Sequence, residues 1–273
     1  MVRSTAESSA GVETLFRAPP RDLPRPAAEE SRPWLDAAVA AGLRQLARVH
    51  RILFLEGHGD MSLGHLSWRD PYGRGFWLKR AKLALDEVQT ADFLLLDFEG
   101  NRLAGQGDRH LEWPIHAELL RRRPEVAAVG HTHPHHATLF SCCETGLLPY
   151  TNEGIWFEQA PGRFELTSDL VDSPALGIAH AEAMGDADAV FLRNHGVSFV
   201  GTSLERLCLT GIFLEKACRA QLGLAAAGLP LSRPDPAEAA AKRANIYGEA
   251  AVANFYACYE RALERHEVGT QPS

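Results

Sequence analysis

The chain has 273 residues, 45% of them hydrophobic, enough for one substantial core, and its 28 Lys and Arg against 35 Asp and Glu leave a net charge of −7. That balance excludes a broad cationic field for phosphate backbones, so nucleic acid is not an expected partner. The five cysteines are odd in number and lack CxxC spacing, which reads as free thiols in a reducing, cytoplasmic compartment.

Residues 1–33 mix Pro, Arg, Ser and Glu without an apolar run like a signal-peptide core, and read as a flexible amino-terminal leader before one domain over 34–273. No later run reaches the roughly 18 uninterrupted apolar residues of a membrane helix, so no membrane is expected as a partner. From Trp34 to Leu55, apolar residues at Leu35, Val39, Leu43, Leu46, Val49 and Leu53 make one helical stripe. The segment from Gly57 to Ser67 is rich in glycine. Strand-like runs follow at Phe76–Leu78 and Asp92–Asp97, and Phe98-Glu99-Gly100-Asn101 reads as a hairpin turn. A helix starts near Glu112, tolerates Pro114 in its first turn and stops before Pro124. Val126–Gly130 reads as a buried strand leading into His131. A helix over about 168–184 precedes a second buried strand, Ala189–Leu192, running towards Asn194-His195-Gly196. Helical patterns over 203–222 and 236–265 close the chain, and the alternation of helices with short strands predicts a layered α/β domain.

Histidines concentrate in His131-Thr132-His133-Pro134-His135-His136. If His131 and His133 continue the strand, a spacing of two puts both imidazoles on one face. Such a pair can share a metal. His195 follows a matching apolar strand, Gly196 would let the backbone turn sharply beside it, and a third imidazole would complete a site with open positions. The alternative is a set of ordinary polar loop histidines. Glu112, on its own, reads as a first-turn acid serving the helix dipole.

The order Glu112-Trp113-Pro114-Ile115-His116, Arg123-Pro124-Glu125-Val126, His131-Thr132-His133-Pro134, Asn194-His195-Gly196 and Glu215 resembles class II aldolase/adducin proteins over about residues 35 to 225. The resemblance implies an α/β fold, a three-layer α/β/α domain with a largely antiparallel central sheet. It implies a homotetramer with active sites near subunit interfaces. It also implies that His131, His133 and His195 hold one divalent ion, with zinc or manganese favoured and ferrous iron the alternative, and that Glu112 is the catalytic acid/base.

The chain departs from the sugar-phosphate members of that family where they cradle phosphate. It has Gly64-His65-Leu66-Ser67, Lys79-Arg80-Ala81 and His110-Leu111 at the three places concerned. Lys79 and Arg80 offer charge-assisted donors suited to a carboxylate, with a solvated surface pair as the alternative, and His65 and Ser67 join them as candidate substrate contacts. Trp68, Phe76, Trp77, Trp113, Trp156 and Phe157 serve either the core or an aromatic-accepting pocket. The resulting expectation is a metal-dependent carbon–carbon lyase, a decarboxylase or aldolase, acting on a small non-phosphorylated hydroxy- or oxo-carboxylate. Its rivals are a non-heme iron oxygenase performing oxidative decarboxylation and a non-catalytic adducin-like assembly module.

Overall fold

The computed structural model describes residues 35–269, so the expected leader at 1–33 lies outside the described residues. Helix α1, Ala37–Leu53, starts where the Asp36 carboxylate accepts the Val39 N–H at 2.9 Å and buries the apolar stripe read from the sequence. A wider turn over Phe54–His58 ends it.

The described residues form an eight-stranded sheet. Its strands are β1 His65–Arg69, β2 Phe76–Lys79, β3 Phe93–Leu96, β4 Arg102–Ala104, β5 Ala128–Thr132, β6 Gly162–Phe164, β7 Ala189–Leu192 and β8 Gly196–Gly201. The spatial order is β4-β3-β2-β1-β5-β8-β7-β6. Every neighbouring pair is antiparallel except β6 with β7, so the sheet is mixed but mostly antiparallel. The turn between β3 and β4 falls at the expected residues, with Gly100 at φ +80° and its N–H on Asp97 O.

Helices α2 Trp113–Arg122 and α5 Pro174–Met184 pack on each other and on one side of the sheet, around Leu78, Leu94, Leu96, Val129 and Val190. On the other side, α1, α6 Leu204–Ala227 and α8 Glu249–Gly269 enclose Leu66, Trp77, Phe93, Phe191 and Phe199. Short helices α3 His135–Ser141 and α4 Asn152–Ile155 lie against α6, and α7 Pro236–Ile246 follows it. None of the described helices is long and apolar enough to cross a membrane.

Two expectations need correction, the start of the helix after 168 and the unbroken final helix, and two further features take definite form. The Gly-rich segment after α1 leads into β1, whose alternation of His65, Ser67 and Arg69 with Leu66 and Trp68 makes a two-faced strand. The helix expected from 168 begins only at Pro174, because Ser173 caps it by accepting the Leu176 N–H. The final long helix is broken between α7 and α8 at Tyr247-Gly248. The six aromatics belong to the interior: Phe76, Trp77, Trp113, Trp156 and Phe157 are buried in the two apolar clusters and Trp68 packs against one of them.

Candidate metal centre and its cavity

His131 is the fourth residue of β5, paired in register with His65 on β1 and Ser198 on β8. His133 lies one residue past the strand. The third imidazole, His195, comes from the three-residue connection between β7 and β8, where Leu192 pairs with Gly196. The turn there is carried by Asn194 at φ +56°, a residue type that tolerates the left-handed region. Gly196 therefore has a different role from the one expected. A Cβ at that position would come within 2.4 Å of His133 Cδ2, so its lack of a side chain makes room for the ligand ring.

The three rings form a near-equilateral group, with centroid separations of 4.9, 5.0 and 5.1 Å. His131 Nε2 and His133 Nε2 stand 3.1 Å apart. Asp60 Oδ2 lies 3.0 Å from His133 Nδ1, and an ionised carboxylate can only accept, so that nitrogen donates and Nε2 keeps its lone pair. Each of the three histidines offers one nitrogen within 4.8 Å of the others, and His195 Nδ1 is buried without a hydrogen-bond partner. Converging imidazole lone pairs, one ring oriented by an outer carboxylate, fit a zinc, manganese or ferrous ion. On the outer side of His131, Nδ1 lies 3.2 Å from Ser198 Oγ, which is 3.0 Å from His180 Nε2.

Glu112 sits at the amino-terminal end of α2, directly before Trp113. Its Oε1 accepts the Val171 N–H at 2.9 Å, and its Oε2 lies 3.4 Å from His131 Nε2 and 3.8 Å from His65 Nε2. Burial alone would lift this carboxyl towards neutrality. His131, His65 and His195 around it outweigh that and hold it well below the usual carboxylate range. Burial pushes the imidazoles the other way: His65 falls to about 4 and His133 to about 2.

These groups border a cavity of about 520 Å³. Its polar wall is His65, His110, Glu112, His133 and His195, with Asp60, Asp169 and Thr138 at the sides; Leu63, Leu111 and Leu170 supply apolar surface. No Lys or Arg is among its described lining residues. Of the four expected substrate contacts, only His65 lines it. Ser67 is fully buried behind, 2.7 Å from His116 Nδ1. Lys79 is fully buried too, and its ammonium donates to the carbonyls of Ser62 and Leu83. Arg80 pairs with buried Asp92 at 2.9 Å. Both cations are thus held by loop carbonyls and a carboxylate outside the cavity.

Sequence reading missed Asp60, Thr138, Asp169 and Leu170 because they come from two loops and the helix α3 and carry no motif spacing. His110 was seen only as a departure from a phosphate cradle. Glu215 closes the arrangement from α6: its carboxylate accepts the N–H groups of His136 and Ala137, fixing the start of α3 just after His133.

Residues 44–222 match the family described as the Class II Aldolase and Adducin N-terminal domain. The chain belongs to this family. Among curated proteins it is 28% identical over 218 residues to the 3,4-dihydroxyphthalate decarboxylase of Arthrobacter keyseri, covering 71% of this chain and 83% of the relative. It is 29% identical over 215 residues to the 4-hydroxy-3-prenylphenylpyruvate oxygenase/4-hydroxy-3-prenylbenzoate synthase of Streptomyces roseochromogenus subsp. oscitans, covering 77% and 74%. Among solved structures, the aldolase II superfamily protein from Pseudomonas syringae superposes with a TM-score of 0.77 at 24% identity, covering 87% of this chain and 98% of that one. This last similarity confirms the fold.

Proposed function

We propose that the chain is a metal-dependent carbon–carbon lyase, a decarboxylase of a non-phosphorylated hydroxy- or oxo-carboxylate, with His131, His133 and His195 as metal ligands and Glu112 as acid/base. One observation carries the reading. Glu112, His133 and His195 line a cavity, with buried His131 completing the imidazole group, and among the described lining residues, which include three leucines, there is no Lys or Arg to grip a phosphate. The similarity to a decarboxylase of a hydroxylated aromatic diacid supports it.

Decarboxylation breaks a carbon–carbon bond, leaves the electron pair on the substrate carbon and then requires a proton there. A divalent ion on the three histidines would supply Lewis-acid stabilisation of that charge. Glu112, held ionised by the imidazoles around it, is ready to act first as a base on a substrate hydroxyl and then to return the proton to carbon. Val171 fixes one of its oxygens and leaves the other facing the histidines. Leu63, Leu111 and Leu170 give the cavity apolar surface, and a carboxylate held against it would be favoured to leave as uncharged carbon dioxide.

The same reading extends to a homo-oligomer, a tetramer, in the cytoplasm. Exposed Met61 and Leu139 adjoin the cavity residues Asp60 and Thr138 and suit a subunit contact, and all five cysteines are free. A second reading, the iron oxygenase, is favoured by His65, Glu112 and His131 forming an overlapping candidate metal group and by the oxygenase relative. Metal analysis of protein purified without oxygen, followed by carbon dioxide and oxygen measurements on a panel of hydroxy and oxo acids beginning with 3,4-dihydroxyphthalate, decides between them. Glu112→Gln is expected to retain the metal and lower turnover by about 100-fold or more. Oxygen uptake coupled to turnover would replace the lyase with the oxygenase, and failure to bind any divalent ion after reconstitution would sink both.

A further inference from the structure

Behind Glu112, three buried side chains stand in one hydrogen-bonded line. Ser67 Oγ is 2.7 Å from His116 Nδ1, His116 Nε2 is 2.7 Å from His65 Nδ1, and His65 Nε2 faces Glu112 Oε2 at 3.8 Å. Ser67 and His116 have no exposed surface and His65 is 1% exposed. A neutral imidazole carries one N–H and one lone pair, so the line has two self-consistent directions. In one, the Ser67 hydroxyl donates to His116, His116 donates to His65, and His65 points an N–H at Glu112. In the other, every donor reverses and His65 turns a bare lone pair on a carboxylate that can only accept. The first direction satisfies every group. The second leaves two acceptors facing each other inside the protein, at the cost of an unmet buried polar group.

We propose that His65 holds its proton on Nε2, pointed towards Glu112, and is not a metal ligand, and that His116 and Ser67 are positioning residues that lock this tautomer. The line ends on a serine sealed from solvent, so it gives a proton no exit; it sets the direction of one N–H. His110 lies against the His65 ring at a centroid distance of 4.3 Å and restrains its rotation. The consequence separates the two overlapping candidate metal groups. A ring that donates from Nε2 has no lone pair there for a metal, which leaves His131, His133 and His195 as the ligand set. This inference rests on the metal-dependent reading only for the place of Glu112, and it concerns an atom that can be observed directly.

The test is nitrogen NMR of protein labelled with ¹⁵N in histidine, with and without Zn²⁺, together with zinc-binding titrations. The expected result is a His65 ring protonated at Nε2 in both states. Ser67→Ala and His116→Phe should each turn His65 into a tautomer mixture, and Ser67→Ala guards against a fold lost in the larger replacement. His65→Gln should bind zinc within about twofold of the native protein, while His131→Ala loses about 100-fold or more. A His65 ring protonated at Nδ1, or a tenfold or larger loss of zinc affinity in His65→Gln, overturns the proposal. Native protein that binds no divalent ion would defeat the proposed function instead, and the tautomer in metal-free protein would still decide this one.

Discussion

Lys79, the last residue of β2, brings an ammonium group into the interior, where it donates to two loop carbonyls. Burial penalises the charge and brings its pKa down to about 7 from the ordinary lysine value of 10.5. Between those two values the unfolded chain holds a proton that the folded chain has released, so folding becomes more favourable as pH rises through that window. Native stability is expected to climb relative to Lys79→Met between pH 7 and 10, by at most about 1.4 kcal/mol per unit, as measured by urea unfolding at a series of pH values. Parallel curves would show that Lys79 is not buried as described. The residue also marks the limit of reading a site from a motif. That His131, His133 and His195 come together was legible from their types and spacing, whereas Glu112 stood out only through the family resemblance. Lys79 and Arg80 carry equally suggestive charges, yet whether a cation faces substrate or a backbone carbonyl depends on loops such as Asp60–Leu63, which sequence spacing does not place.

Helix α6 is pressed onto the centre of the sheet through one ring. Phe199 of β8 lies between Gly130 of β5 and Gly211 of α6, and a Cβ at either glycine would come within 2.6 or 2.8 Å of that ring. Gly130→Ala must therefore displace the strand that presents His131. The expected effect is a loss of about 1–3 kcal/mol in chemical unfolding together with weaker metal binding, and Phe199→Leu in the same chain should recover part of both. A double variant no better than the single one would mean that the ring is not the obstacle. The sheet's legibility follows the same division of labour. Ala189–Leu192 was readable because it is buried and apolar on both faces. The strands β1 and β8 were not, because one face of each carries His65, Ser67 or Ser198, so site residues interrupt the apolar pattern that marks a strand. The three-residue β6 is too short to show any period, and the break at Tyr247-Gly248 falls within a stretch whose alanine-rich helical pattern continues on both sides.

Taken as a whole, the molecule keeps several imidazoles neutral inside its core, some of them outside the candidate metal group. His50 joins α1 to β1: its Nδ1 donates to Leu46 O at 2.8 Å and its Nε2 accepts the Leu66 N–H at 3.3 Å, which leaves no place for a second proton. Burial lowers His50 to about 3, His58 to about 4 and His180 to about 3 from the ordinary value of 6.5. Below pH 6.5 the unfolded chain takes up protons at these positions while the folded chain refuses them, so stability falls with each step of acidification until about pH 4. Each group contributes up to about 1.4 kcal/mol per pH unit, and three together rival a typical total stability of about 5–15 kcal/mol within two or three units. Metal-free protein is therefore expected to unfold cooperatively on acidification between about pH 6 and 4. In His50→Gln the slope of stability against pH between 6 and 4.5 should fall by about one proton, and the acid midpoint should move downward even if the variant is less stable at pH 8. An unchanged slope would show that the His50 ring accepts its second proton without unfolding, which the two hydrogen bonds holding it do not allow.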